Sequence, residues 1–209
     1  MALRLNGSSS GYVELDVPAA AGSHTLTLPD GGGTSGQYLQ TNGSGGLSWA
    51  TVATPTTPLF ESIAAVTDRK AAGTSAGSTV SGTWSTRVLN HELFDPDGIV
   101  SLSSNQFTLG AGTYYVEWAV PLHDPSYAKT RLYNATDSVT VLDGEGLYSP
   151  PSLDLSIWFR GLARFTIASS KAFEIQYNVY SDQVSYGLGI STNTGDYEYY
   201  TTVRIFKEA

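Results

Sequence analysis

Between residues 153 and 167 the chain reads Leu153, Leu155, Ile157, Phe159, Gly161, Ala163, Phe165 and Ile167 at every second position, with mostly polar residues between them. Side chains of a strand point alternately to opposite faces, whereas those of a helix return to one face only every three or four residues. A period of two sustained this long therefore demands a strand with one covered face. The same pattern recurs at 112–122, where Tyr114, Val116, Trp118, Val120 and Leu122 share a face, and at 172–181, where Phe173, Ile175, Tyr177 and Val179 do. Shorter strands are expected at 64–70, 84–90, 99–102, 129–134, 138–142 and 197–207. No segment holds a helical spacing of apolar residues for more than about two turns. About eight or nine strands over roughly 150 residues predict an all-β fold, an antiparallel sandwich of the double-sheet jelly-roll kind.

The 209 residues include 22 glycines, 13 tyrosines and no cysteine, and only 14% are charged. Without cysteine there is no disulfide framework and no thiolate metal site, so self-association is the expected source of added stability. The formal charge of −8 and the lack of any Lys/Arg cluster argue against a nucleic-acid partner. No apolar run approaches the roughly eighteen residues of a membrane span, and the opening residues lack the apolar core of a signal peptide. The chain is thus expected to be made in the cytoplasm and to be soluble.

Near residue 58 the character changes. Ahead of it lie short alternating strands, at 12–17, 25–28, 37–41 and 47–50, separated by Gly/Ser/Pro turns. With so few apolar residues per strand, residues 1–58 cannot bury a core of their own. Tyr12, Leu15, Leu26, Leu28, Tyr38, Leu39 and Trp49 are the residues expected to anchor this arm on a partner. Residues 53–58, with Pro55 and Pro58, read as an extended linker, and residues 59–209 as the sandwich.

Two features of the sandwich bear on binding. In the last strand, 197–207, apolar residues fall on both faces, which suits a strand that is central or covered by another subunit; the second option puts Tyr200, Val203, Ile205 and Phe206 at an oligomer interface. Loop lengths also alternate, as antiparallel topology requires of the two ends. The connections 123–127, 144–151 and 182–195 are the long ones, so they should gather at one end. They carry Tyr127, Tyr148 and Tyr186 with Asp124, Glu145 and Asp182 close by. Tyrosines flanked by carboxylates suit sugar rings, so this end is a candidate receptor-facing surface for a host glycan.

Catalytic and metal signatures are missing. His24, His91 and His123 are scattered, too far apart in the sequence to suggest a ligand cluster. Asp95-Pro96-Asp97-Gly98 could offer carboxylates to calcium, but Pro second and Gly fourth make it a type I turn first. The acidic residues are dispersed rather than paired as glycan hydrolysis needs. The triplets at Asn6, Asn42 and Asn134 match the glycosylation pattern, which has no meaning without secretion. No enzyme activity and no cofactor are expected.

Two stretches carry a resemblance. Residues 6–13, 25–30 and 36–45, closing on Leu47-Ser48-Trp49, resemble a module of bacteriophage tail fibres and related virion proteins. Residues 84–90, 101–109 and 111–114, with Val203-Arg204-Ile205-Phe206-Lys207 at the end, are similar to a C-terminal domain of phage fibres and capsid-surface proteins. Their strand pattern resembles the trimeric jelly roll of the complement and tumour-necrosis-factor superfamily, in which Gly-x-Tyr opens the central strand and the final strand packs near the threefold axis. The resemblance implies a homotrimer on a virion surface, its partners being the major capsid protein or tail proteins, and no catalytic residues. Because the chain opens directly on the arm and closes just after its last strand, a capsid decoration, or cement, protein is expected. A short tail fibre or receptor-binding tip is the alternative.

Overall fold

The structure, a computed structural model, describes residues 3–15, 18–20, 22–52, 58–150 and 154–209. It divides into two compact units, Met1–Thr56 and Thr57–Ala209. The expected linker falls almost wholly at 53–57, outside the described residues.

The first unit is built from two hairpins. Strands β1 (Leu3–Asn6) and β2 (Tyr12–Leu15) pair antiparallel, as do β3 (Gln37–Thr41) and β4 (Leu47–Thr51). The strand expected at 25–28 does not form. Thr27 makes a single bridge to Gly46, held by Thr27 N–H to the Gly45 carbonyl (2.8 Å) and Leu47 N–H to the Thr27 carbonyl (2.9 Å). Strand β1, in contrast, was not legible. In register, its Leu3, Arg4, Leu5 and Asn6 pair with Leu15, Glu14, Val13 and Tyr12. Leu3, Leu5, Leu26, Leu28, Tyr38, Leu39 and Val52 are exposed. A two-stranded ribbon is at best marginal in water without cover, and this unit offers its strands almost none.

The second unit is a jelly-roll sandwich. One sheet has the order β13 (Ser156–Ile167), β10 (Gly112–His123), β15 (Tyr197–Glu208), β5 (Phe60–Ala71), β7 (His91–Phe94). The other runs β12 (Val139–Tyr148), β11 (Tyr127–Asn134), β14 (Lys171–Val179), β9 (Gln106–Leu109), β8 (Val100–Ser103), with the short β6 (Ser85–Thr86) against β14. All named pairings are antiparallel, and the chain changes sheet after β5, β6, β7, β9, β10, β12, β13 and β14. Of the expected strand at 84–90 only β6 is extended, whereas β7 and β9 form where none was expected.

Each alternating run turns its apolar set inward. Tyr114, Val116, Trp118, Val120 and Leu122 of β10 meet Phe173, Ile175, Tyr177 and Val179 of β14 across the core. An aromatic series links the sheets: Tyr114 to Phe165 (6.2 Å between centroids), Phe165 to Phe173 (5.0 Å), Phe173 to Phe107 (5.8 Å). Leu155 lies ahead of β13, and Leu153 is outside the described residues. The Asp95 carboxylate accepts the N–H groups of Ile99 and Val100 (both 2.9 Å), which makes 95–98 a turn capped by its own first residue.

A buried arginine completes the core. Arg87 Nε donates to Thr201 Oγ1 (2.6 Å) and Nη2 to the Leu188 carbonyl (2.8 Å), tying 84–90 to β15 and to the loop before it. Burial lowers its pKa to about 10, so it stays charged at neutral pH.

Candidate functional site: two open faces of the sandwich

Strand β15 lies in the middle of its sheet, and this corrects one expectation. Tyr200, Val203 and Ile205 are 4%, 0% and 0% exposed within the single chain, packed on the opposite sheet. They are core residues and are closed to a partner. A central strand has two faces, and only one is covered here. The open face carries Phe206, the fourth of these residues.

Register defines that open face. In one row Ile63, Phe206, Tyr115 and Arg164 stand side by side; in the next come Phe94, Ala65, Arg204, Glu117 and Leu162. Phe206 lies 5.1 Å from Phe60, and Phe60 lies 6.3 Å from Tyr115. Three cations bordering this apolar centre are already paired within the chain. Arg164 grips Glu208 with two bonds (2.6 and 2.8 Å), Lys207 lies 3.0 Å from Glu61, and Arg204 lies 3.7 Å from Glu117. Further along, a hollow of about 920 Å3 opens between β12 and β13, lined by Leu142, Glu145, Trp158, Arg160 and Leu162. Glu145, expected among the receptor-facing loops, belongs here instead. Residues 144–148 continue strand β12 rather than forming a loop, which carries Glu145 away from the tyrosines.

The other open face includes the end of the sandwich where the long connections were expected. Tyr127 opens β11 and Tyr148 closes β12, so both are strand residues in register with each other. The link between β10 and β11 is only Asp124-Pro125-Ser126, with Asp124 and Ser126 at positive φ (49° and 59°). The residues nevertheless meet at one end. The rings of Tyr127 and Tyr148 lie 4.6 Å apart, and Tyr180 stands edge-on to Tyr127 at 6.1 Å. Asp124 is buried and accepts from Gln183 Nε2 (3.2 Å), while Asp182 accepts the Ser81 N–H. These two carboxylates hold loops and do not line the ring cluster. Tyr186 packs edge-on against His123 (5.0 Å), apart from the other tyrosines. Tyr180 and Trp84 complete the cluster and were missed. Tyr180 lies just past β14 but within the strand expected at 172–181, and Trp84 belongs to the one expected at 84–90.

His123 lies between Ser156 Oγ (3.1 Å from Nδ1) and Asp154 Oδ1 (3.0 Å from Nε2). A serine, a histidine and a carboxylate in line have the outline of a hydrolytic triad. In such triads the carboxylate is buried, so that it fixes the ring and supports the imidazolium in a dry setting. The Asp154 side chain is 89% exposed, and Tyr186 covers the ring. The trio clamps the start of β13 to the end of β10. Among the described residues no three His, Asp or Glu side chains gather as a metal site.

Glu198, at the start of β15, organises the neighbouring loops. Its carboxylate accepts N–H groups from Asn193 (2.7 Å), Thr192 (3.1 Å) and Gly73 (3.2 Å) and the Thr192 hydroxyl (3.2 Å). These bonds, that of Asn193 foremost, hold its pKa below the ordinary 4.5. A depressed carboxyl pKa adds stability that is present above the unfolded value and is lost as pH falls through the folded one. Glu198→Gln should therefore lower the melting temperature at neutral pH and flatten its decline on acidification. Melts of both proteins between about pH 3 and 7 check this; parallel curves would refute it.

No protein-family model matches the chain, and no curated protein does. Among solved structures, the globular domain of zebrafish complement 1qA is similar, at 15% identity, a TM-score of 0.47, and coverage of 70% of this chain and 96% of that one. Murine APRIL at pH 5.0 is similar at 10% identity, a TM-score of 0.47, and 70% and 98% coverage. Its pH 8.0 structure gives 9%, 0.45, and the same coverage. The fold assignment stands on the two-sheet strand order given above.

Proposed function

We propose that this chain is a homotrimeric, non-enzymatic structural protein of a bacteriophage particle, decorating and reinforcing the outer capsid surface. The observation that carries the reading is the apolar face of the β13-β10-β15-β5-β7 sheet around Ile63, Tyr115, Leu162 and Phe206. Such a face, left open on a folded domain, marks an interaction surface. Because Arg164, Arg204 and Lys207 are paired within the chain, a second copy can cover the centre around Phe206 and Tyr115 without stranding those cations. The threefold form and the phage particle come from the sequence resemblance. The arm, with Tyr12, Leu26, Leu28, Tyr38 and Leu39 exposed, fits the role of gripping the shell, since wrapping segments gain their order on the surface they cover. Leu15 is part of the same proposal, its side chain lying outside the described residues. Trp49 contributes less, since it is half-buried and donates to the Gly31 carbonyl (2.6 Å).

Quantifying the protein in purified particles tests the placement. A copy number comparable to that of the capsid subunits is expected. A handful of copies would favour the second reading, a short tail fibre or receptor-binding tip contacting host glycan, which the exposed tyrosine cluster supports. Deleting residues 1–58 should abolish attachment while leaving the sandwich folded; loss of the fold would refute the two-part anatomy.

A further inference from the structure

We propose that the trough between Tyr127, Tyr148 and Tyr180 at one end and Trp84 at the other binds a neutral saccharide. The proposal rests on the receptor-contacting reading above and assigns it a site.

The trough encloses about 760 Å3, within the range of small-molecule sites. Tyrosine on a sandwich normally buries its ring, yet Tyr127, Tyr148 and Tyr180 are 60%, 52% and 74% exposed while packed on one another. A cluster that spends its apolar faces on neither the core nor separate patches of solvent leaves them for a ligand. The Tyr127 and Tyr148 rings are inclined by 33°, a shallow platform, and Tyr180 meets Tyr127 at 83°, an upright wall. The C–H face of a pyranose lies on such a platform, while its edge meets the wall and its hydroxyls reach the phenolic oxygens.

The floor selects against a purely apolar guest. Lys129 and Asn178 are register partners beneath the rings, and Ser81 is on the rim. Among the described residues no side chain bonds the Asn178 amide, which offers both a donor and an acceptor to a sugar hydroxyl. Lys129 is bound to Asp143 (2.7 Å), so the floor presents no net positive charge to an acidic sugar or a phosphate.

Trp84 is pre-set at the far end. The Arg131 guanidinium lies 4.1 Å from its ring centre and 4.7 Å from that of Tyr133. Arg131 itself is fixed by Gln176 (2.7 Å) and Thr140 (2.9 Å). At the near end, Tyr180 N–H donates to the Tyr127 carbonyl (2.8 Å), which holds the wall to the platform. A site whose walls are already ordered loses little freedom on binding.

Saturation-transfer NMR on the intact protein tests this, with maltotriose, cellotriose, mannotriose and chitotriose as probes and sialyllactose as the acidic control. Transfer to the ring protons of at least one neutral trisaccharide is expected. Tyr148→Ala and Tyr180→Ala, both at exposed positions, should each weaken it roughly tenfold. Tyr199→Ala, an exposed aromatic elsewhere on the sandwich, should leave it unchanged. Transfer to none of the neutral probes, transfer to sialyllactose alone, or binding that survives both tyrosine variants would overturn the assignment. Light scattering on the same samples separates the two readings. A trimer that ignores every sugar defeats only the saccharide site, and a monomer that binds one defeats only the trimeric assembly.

Discussion

Replacing Ile63 and Leu162 together by glutamate is expected to reduce the species in solution from about 67 kDa, three chains of 22.2 kDa, to a single chain, with the sandwich still folded. Both side chains are about two-fifths exposed in the isolated chain, Ile63 on β5 and Leu162 on β13, at opposite sides of the open face. Neither contributes to the core, so their loss leaves the single chain intact. In an assembly they would be dry, and each carboxylate taken there would cost several kcal/mol unless it found a partner. Of the cationic side chains nearby, Arg164, Arg204 and Lys207 are already engaged with Glu208, Glu117 and Glu61, and Arg160, beside Leu162, can meet at most one of the two new carboxylates. Repeated in every copy, that penalty exceeds what a surface of this kind can supply. Light scattering gives the mass and circular dichroism the fold. A wild-type monomer, or a double variant that remains trimeric, would refute this face as the interface.

Gly161→Ala should cost the sandwich roughly 3 kcal/mol, an overpacking term plus the weakening of one buried hydrogen bond. Gly161 sits directly opposite Trp118 in the β10–β13 register, and the indole lies over the glycine so closely that a Cβ would overlap its ring. On its other side the indole faces Gly144, where an added Cβ would come within 3.1 Å of Cζ2. The ring is pinned by Nε1 donating to the buried Thr130 Oγ1 (3.0 Å). It therefore cannot step aside without breaking that bond. For a domain of this size the melting temperature should fall by roughly 6–12 °C. The double variant Trp118→Phe/Gly161→Ala should recover part of the loss, because the smaller ring leaves room for the methyl. An unchanged melting temperature in Gly161→Ala would show that the indole has freedom the geometry denies it.

Gly161 also marks where the alternation was informative and where it stopped. Its place on the inward face of β13 follows from the period of two. That the position has to be glycine follows from Trp118, which is more than forty residues away and adjacent only through the strand register. The last strand repeats the lesson. Apolar residues on both faces show that both are to be covered, but not by what. Topology puts β15 between β10 and β5, so Tyr200, Val203 and Ile205 are covered by the chain's own second sheet, and Phe206 is left on the open face.

The tyrosine end follows the same division. Alternating loop lengths brought Tyr127 and Tyr148 to one end, and there they meet at 4.6 Å. Glu145 was misplaced because Gly144 and Gly146 on either side of it read as loop, whereas pairing with β11 extends β12 through them. Trp84 and Tyr180 fell within the strands expected at 84–90 and 172–181, but a local alternation does not show which outward-facing rings will share a trough.

By itself the sequence determined the class of fold, the inward face of each long strand, and the poverty of the arm in core-forming residues. These are local properties, set by the two-residue period of an extended backbone and by how many apolar side chains each segment has to bury. The tertiary structure alone decided which of two apolar faces is left open, which glycine accommodates an indole, and which aromatic rings share a trough. Each of those depends on strand order and register, contacts between residues far apart along the chain that no local pattern encodes.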